Sequence, residues 1–327
     1  RIGTNPNNYK EINLCVKSHR IIIPVFIPNF DGYFKDSLHI FKYCINSLLK
    51  TINSDTAISI ISNASCKEVN DYINELFESN KIDRAIYNIE NIGKTNAIIS
   101  ETRSSSEEFI TYSDADVFFD KGWLKETFTM FKNEPKAGFI SMNPTPQNFS
   151  YSESTILGNF FSFLFKKQKT KEVCSFDDLF HFHKSIGKKV DVTEKMYDND
   201  ILTTSNNYII GAGHFCCTIR KTPILKYVPK EYLTEGIYWS SEALYLDIPF
   251  NKTGLWRISS PKAFVWHMGN VLEGSWARFK INQIEDFKEE DFTFNSLPLK
   301  ARGSSLVLII PYKLRLKIIS VFHKILN

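Results

Sequence analysis

Hydrophobic and polar positions alternate between two periods along the first third of the chain. Residues 19–30, HRIIIPVFIPNF, form an apolar β-rich run broken by prolines, which predicts a buried strand whose C-terminal end opens into a loop. In DSLHIFKYCINSLLKTI, Leu38, Phe41, Ile45, Leu48 and Leu49 fall at helical spacing behind Asp36 or Ser37 as a cap. TAISIISNAS then reads as a second buried strand, CKEVNDYINELFESN as an amphipathic helix, and DRAIYNIENIG as a third strand leaving through Asn91 and Gly93. KTNAIISETRSS predicts another helix and EEFITYSDADVFF a fourth strand. Strands alternating with helices predict a mostly parallel α/β sheet with right-handed crossovers. Ligands of such sheets bind at the carboxyl ends of the strands. Those ends are Pro28-Asn29, Ser62-Asn63, Asn91-Gly93 and Asp114-Asp116, all polar or turn-forming.

The period weakens after KAGFISMNP, a further strand. Residues 145–207 read as an irregular insertion with short helices over one end of the sheet. NYIIGAGHFCCTIRKTPIL returns to a strand and a helix start, GIYWSSEALYLDIPFNKTG to a loop and a helix ending at Gly254, and LWRISSPKAFVWHMGN to a strand ending at His267. Residues 1–300 are thus expected to form one domain, with 301–327 as a basic amphipathic helix. In that tail Leu316, Ile319, Phe322 and Leu326 make a stripe flanked by Lys313, Arg315, Lys317 and Lys324. Two readings stay open: the helix lies in an anionic membrane interface, or it docks on the domain.

Composition narrows the class. At 43% hydrophobic and 14% aromatic, the 327 residues can bury a sizeable core. A formal charge of +4 with no arginine-rich arm argues against nucleic acid as a partner. The six cysteines include no CxxC pair, and neither a signal-peptide pattern nor an apolar stretch of spanning length occurs. These features point to reduced thiols and a cytoplasmic chain.

Asp114 and Asp116 carry the sharpest chemical signal. With 36 acidic residues in 327, roughly four acid-x-acid triplets arise by chance, and Asp198-Asn199-Asp200 is a rival. Context separates them, because Asp114 and Asp116 close a buried strand at the ligand edge whereas the rival lies in a polar loop. Two carboxylates there repel unless a cation sits between them, and oxygen ligands suit Mg2+ or Mn2+. His267 ends a late strand and can reach the same edge as a third ligand. His181 and His183 read as solvated loop residues. Glu242, at a helix start, is a candidate general base and Asp247 the alternative.

Together these segments resemble the family 2 inverting glycosyltransferases of the GT-A fold, over about residues 20–270. The first strand ending in proline is IIIPVFIPN, the Asn-x-Gly segment is NIGKTNAI, the Asp-x-Asp is YSDADVFF, the acidic helix start is SSEALYLDIPFNKTG, and the late His-x-Gly is WHMG. Two departures stand out: Ser62-Asn63 replaces an acidic pair, and Ala243 occupies the second acidic position after Glu242. The resemblance implies that Asp116 binds a metal bridging a donor diphosphate, with Asp114 on the ribose or metal and His267 completing the shell. It places Pro28, Asn63 and Lys94 around the nucleobase and ribose, beside the strand-end residues Asn29, Asn91 and Gly93. It further implies a UDP- or GDP-sugar donor, a saccharide or lipid-linked acceptor, and a role in bacterial surface polysaccharide or glycan synthesis, in the cytoplasm or on the inner face of its membrane. A nucleotidyltransferase or a non-catalytic carbohydrate- or protein-binding module is the competing reading, though the first strand lacks a glycine-rich phosphate loop.

Overall fold

The computed structural model describes residues 2–5, 17–146, 152–161, 166–231, 233–234, 240–272, 280, 282, 303 and 305–326. Cys15 and most of the polar N-terminal stretch lie outside these residues, as do the side chains of Phe322, Lys324 and Leu326. The strands are β1 (His19–Val25), β2 (Thr56–Asn63), β3 (Arg84–Asn88), β4 (Phe109–Ser113), β5 (Val117–Phe119), β6 (Ala137–Ser141), β7 (Lys166–Lys169), β8 (Asp200–Thr203), β9 (Ile209–Ile210), β10 (Cys216–Arg220), β11 (Trp256–Ser259) and β12 (Val265–His267). The helices are α1 (Ser37–Leu49), α2 (Lys67–Glu78), α3 (Lys94–Ser104), α4 (Trp123–Asn133), α5 (Glu153–Phe161), α6 (Thr170–Val173), α7 (Phe176–Ser185), α8 (Val190–Tyr197), α9 (Thr222–Tyr227), α10 (Ser240–Glu242), α11 (Ile248–Lys252), α12 (Ser305–Ile309) and α13 (Tyr312–Leu326).

Among the described residues, ten strands form one sheet in the order β3-β2-β1-β4-β10-β6-β11-β9-β8-β7. The first four run parallel, β6 and β11 share their direction, and β10 runs against β4 and β6. The expected α/β fold with a mostly parallel sheet and flanking helices is therefore present. Chain order 1-2-3 proceeds outward from β1 and then returns to β4 on its other side, which makes the β1/β4 boundary a switch point where a crevice opens.

Local sequence explains that crevice. β1 is buried on both faces and so reads as a continuous apolar run. Pro24 cannot donate to a ladder. It is tolerated because pairing of β1 with β4 stops at Ile22 opposite Tyr112, while pairing with β2 continues to Val25. The strands part where the proline stands. On α1, Phe41, Ile45 and Leu48 are buried as the helical spacing requires, with Leu38 and Leu49 packed at the margin.

Two single strands of the sequence reading divide. The fourth ends at Ser113, and β5 pairs instead with β12 in a separate two-stranded ribbon, so Asp114, Ala115 and Asp116 form the bridge between two sheets. The late strand likewise splits into β11 in the main sheet and β12 in the ribbon. The insertion holds α5 to α8, but β7 and β8 also extend the sheet edge, where Asp200 pairs with Lys167 and Lys169, and Asp198 with Lys171. The rival acidic triplet thus ties β8 and the turn before it to β7 and α6. α13 packs on α5, where Arg315 donates to Ser154 Oγ (2.8 Å) and Asn251 O (2.7 Å) while Ile319 joins Ile156, Leu157 and Val307. No helix among the described residues is long and apolar enough to cross a membrane.

Candidate active site

Both aspartates are fixed through their backbones by distant segments. Asp114 N donates to Phe215 O at 2.8 Å, and Met268 N donates to Asp116 O at 2.8 Å. The second bond, with the β5/β12 register placing His267 opposite Val117, swings the late histidine onto the acidic turn. One ligand atom each from Asp114, Asp116 and His267 lies within 4.8 Å of the others, and His267 Nε2 stands 3.4 Å from Asp116 Oδ2.

This set fits a divalent cation on two further observations. Asp116 Oδ1 is buried without a hydrogen-bond partner among the described residues. Burial, with the Asp114 charge adding to it, lifts the Asp116 carboxyl above its ordinary value despite His267 and Lys94. The second observation concerns the histidine tautomer. Ser185 Oγ donates its one hydrogen to Phe182 O (2.7 Å), so it can only accept from His267 Nδ1, 3.1 Å away. The proton therefore sits on Nδ1, and the Nε2 lone pair faces the carboxylates, as a histidine ligand requires. Gly269 lets the end of α7 approach this closely: its φ is +74°, and a Cβ there would lie 3.0 Å from Ser185 O.

A cavity of about 780 Å³ opens over the acidic turn. Asn63, Asn91, Gly93, Lys94, Asp114, Asp116 and His267 all line it, whereas Pro28 and Asn29 do not. The proline on its wall is Pro24, where β1 and β4 separate; Asn29 instead closes a turn by accepting from Asp31 N at 3.0 Å. Phe26 and Tyr33, 40% and 67% exposed, give the cavity an aromatic wall. Asn63 has little capacity left for a ligand: its Oδ1 accepts from Ile92 N and Asn88 Nδ2, and its Nδ2 donates to Asn91 Oδ1. Asn91 Oδ1 also accepts from Gly93 N at 2.9 Å. This amide knot shapes the loop that delivers Lys94 to the start of α3.

Lys94 contacts Asp114 Oδ1 and lies 2.7 Å from Glu242 Oε1. Burial alone would lower the ammonium, but the two carboxylates outweigh it and hold it above the usual lysine value. Beyond Glu242 the network continues through a residue the sequence reading missed. His214 Nε2 lies 2.9 Å from Glu242 Oε2, and its Nδ1 stands 3.4 Å from Asp247 Oδ2, an ion-pair contact off the hydrogen-bond axis. Asp247 is 0% exposed and paired with Arg257 at 2.7 Å. That burial removes Asp247 as a base acting directly on an acceptor, and leaves Glu242 as the partly exposed carboxylate of the two. A π-helical turn, Ala243–Asp247, joins α10 to α11. Residues five apart on a regular α-helix point about 140° apart; the widened turn turns Glu242 and Asp247 toward one ring. The GAGH stretch carried no local pattern that would have singled out His214.

His181 and His183 sit on α7 rather than in a solvated loop. His183 is buried, its Nδ1 lies 2.8 Å from Thr193 Oγ1, and burial lowers its pKa to about 4; the His181 ring meets Trp266 edge-on.

An α/β sheet with an acidic turn at its switch point, a facing histidine and an adjoining nucleotide-sized cavity defines the class as GT-A-like. The chain belongs to glycosyl transferase family 2, whose model matches residues 25–190. That span contains Asn63, Lys94, Asp114 and Asp116, while His214, Glu242, Asp247 and His267 lie beyond it. No curated protein matches the chain. Among solved structures, the chain is similar to the mannosyltransferase PcManGT from Pyrobaculum calidifontis, in complex with GDP-Man and Mn2+, at 10% identity and TM-score 0.44, covering 75% of this chain and 55% of that one. It is also similar to S. aureus TarS 1-349 at 12% identity and TM-score 0.46, covering 82% and 69%. A third match is TarS 1-349 with UDP-GlcNAc, at 14% identity and TM-score 0.33, covering 41% and 38%.

Proposed function

We propose that this chain transfers a sugar from a UDP- or GDP-sugar to a hydroxyl of a saccharide or lipid-linked acceptor, with inversion, in bacterial surface polysaccharide or glycan synthesis. The observation that carries this reading is the convergence of Asp114, Asp116 and His267 on the cavity that Lys94 also lines. Asp114, Asp116 and His267 would hold Mn2+ or Mg2+, which when bound supplies positive charge to the departing diphosphate.

The chain's own residues account for the rest. Lys94 is placed to meet the same diphosphate charge, Phe26 and Tyr33 offer aromatic faces for a nucleobase, and Asn63 and Asn91 hold the loop between them. Glu242 takes the proton from the acceptor hydroxyl as its oxygen bonds to the anomeric carbon; the bond to the diphosphate breaks on the opposite face, and its electron pair leaves with the diphosphate. A Mn2+-dependent hydrolysis screen of nucleotide-sugars tests the reading. Turnover of one donor, lost in Asp116→Ala, supports it; wild-type turnover in that variant would sink the metal assignment.

The C-terminal helix supports work at the inner face of a cytoplasmic membrane. With Arg315 and Ile319 turned inward, Lys313 and Lys317 remain exposed beside Leu314, Leu316 and Val321, a basic face with apolar margins suited to anionic lipid. Flotation on vesicles containing phosphatidylglycerol should exceed that of a chain truncated after residue 309. Equal flotation removes the membrane contact.

A further inference from the structure

His214 stands outside the metal cluster, with a carboxylate near each of its ring nitrogens. The groups facing it are Glu242 from α10 and Asp247 from the π-helical turn; behind them stand Lys94 from α3 on Glu242 and Arg257 from β11 on Asp247. A carboxylate can only accept hydrogen bonds. Nε2, 2.9 Å from Glu242 Oε2, therefore carries hydrogen, and the negative charge of Asp247 3.4 Å from Nδ1, though outside hydrogen-bond geometry, favours a second proton there, which makes the ring a cation. The loop that presents it is anchored at both flanks: Gly213 N donates to Thr145 Oγ1 (3.2 Å), and Phe215 O receives Asp114 N.

We infer that His214 is the positioning residue for Glu242: an imidazolium, itself held by Asp247, that fixes Glu242 Oε2 and keeps the carboxylate ionised for proton abstraction through its other oxygen. This deepens the proposed function and rests on Glu242 as the base. The charge environment agrees with the geometry. Burial lowers His214, but Asp247 and Glu242 outweigh it and raise its pKa to about 9. Burial raises Glu242, but His214 and Lys94 outweigh it and bring its pKa to about 2. Lys94 shares Oε1 in the unliganded chain, so a donor diphosphate that attracts Lys94 would expose that oxygen while His214 keeps hold of Oε2. The π-helical turn has a purpose in this arrangement, since without it Asp247 could not meet the ring that Glu242 meets.

The test has two arms on the full chain. In the first, imidazole 15N resonances are followed from pH 5 to 10 without substrate, His214 being assigned by its loss in His214→Gln. A midpoint well above that of free histidine, falling by at least about one pH unit in Glu242→Gln, is the expected result. A midpoint near the free value, or one indifferent to Glu242→Gln, overturns the clamp. The second arm measures kcat and KM once a donor is found. In His214→Ala kcat should fall about tenfold or more with donor KM little changed, and His214→Gln, which can still donate to Glu242 Oε2, should restore part of the loss. An unchanged kcat, or a loss carried by KM alone, overturns the inference. Wild-type kcat in Glu242→Gln instead refutes Glu242 as base, and the resonance arm then still decides the clamp.

Discussion

Two charged networks occupy opposite ends of the same parallel strands, and they are built on different terms. At the N-terminal ends Arg20 donates to both oxygens of Glu107 (3.0 and 2.7 Å) and to Ser59 Oγ (2.7 Å); Ser59 donates to Glu101, which also receives Arg84 and Ser104. Two arginines balance two glutamates. Burial raises Glu107, but Arg20 and its hydrogen bonds outweigh it and hold it below the ordinary value. At the C-terminal ends Asp114, Asp116, Glu242 and Asp247 face Lys94, Arg257 and protonated His214, leaving one negative charge over. Among the described residues, Asp116 Oδ1 and Asp247 Oδ2 lack hydrogen-bond partners there. The closed network holds the fold together, whereas the open one keeps unspent charge for a ligand, at some loss of stability.

Breaking the closed end should have the largest effect. Glu107→Ala leaves the buried Arg20 guanidinium without its bidentate partner and is expected to cost about 3–5 kcal/mol in urea unfolding, with Mn2+ affinity of the folded fraction unchanged. A loss below about 1 kcal/mol would erase the distinction between the two ends. At the open end, Asp116→Asn should lower transfer by about 10³-fold while leaving the melting temperature equal or higher, because it removes a buried, under-partnered charge. A clear drop in melting temperature would mean that this charge stabilises the fold.

A pH series sharpens the contrast. The folded pKa of His214 lies above its unfolded value, so its contribution to stability is complete below about 6.5 and is lost as pH rises through about 9. Wild-type protein should therefore lose more stability than His214→Gln between pH 6.5 and 9.5 in thermal melts; parallel curves would contradict the assignment. Glu242 has the opposite sign, its contribution being present above its unfolded value and lost as pH falls through about 2. The smallest effect is expected at Ser185→Ala, which releases the His267 tautomer and should weaken Mn2+ binding about tenfold by calorimetry. Unchanged affinity would mean that the hydroxyl does not set the ring.

Much of this was readable along the chain. The β1-to-β4 half, with α1 to α3 between the strands, follows from apolar runs of two periods, because each run reports its own burial. Asp114 and Asp116 stood out for the same reason, as charges at the end of a buried run. Pro28 and Asn29 misled, since the sequence showed a strand ending in proline but not which proline marks the parting of β1 from β4. Asp247 looked like a possible base until its burial beside Arg257 was visible.

The sequence by itself determined the alternation of strands and helices, the acidic turn and the amphipathic tail, all written within a few turns of chain. Only the tertiary structure decided that β5 leaves the main sheet for β12, that Ser185 sets the tautomer of His267 from 82 residues away, and that His214 lies between Glu242 and Asp247. Hydrophobic periodicity records which face of an element is buried, but not which distant residue it is buried against. Ligand geometry, tautomer and shared charge depend on that second fact, and it exists only once the sheet has assembled.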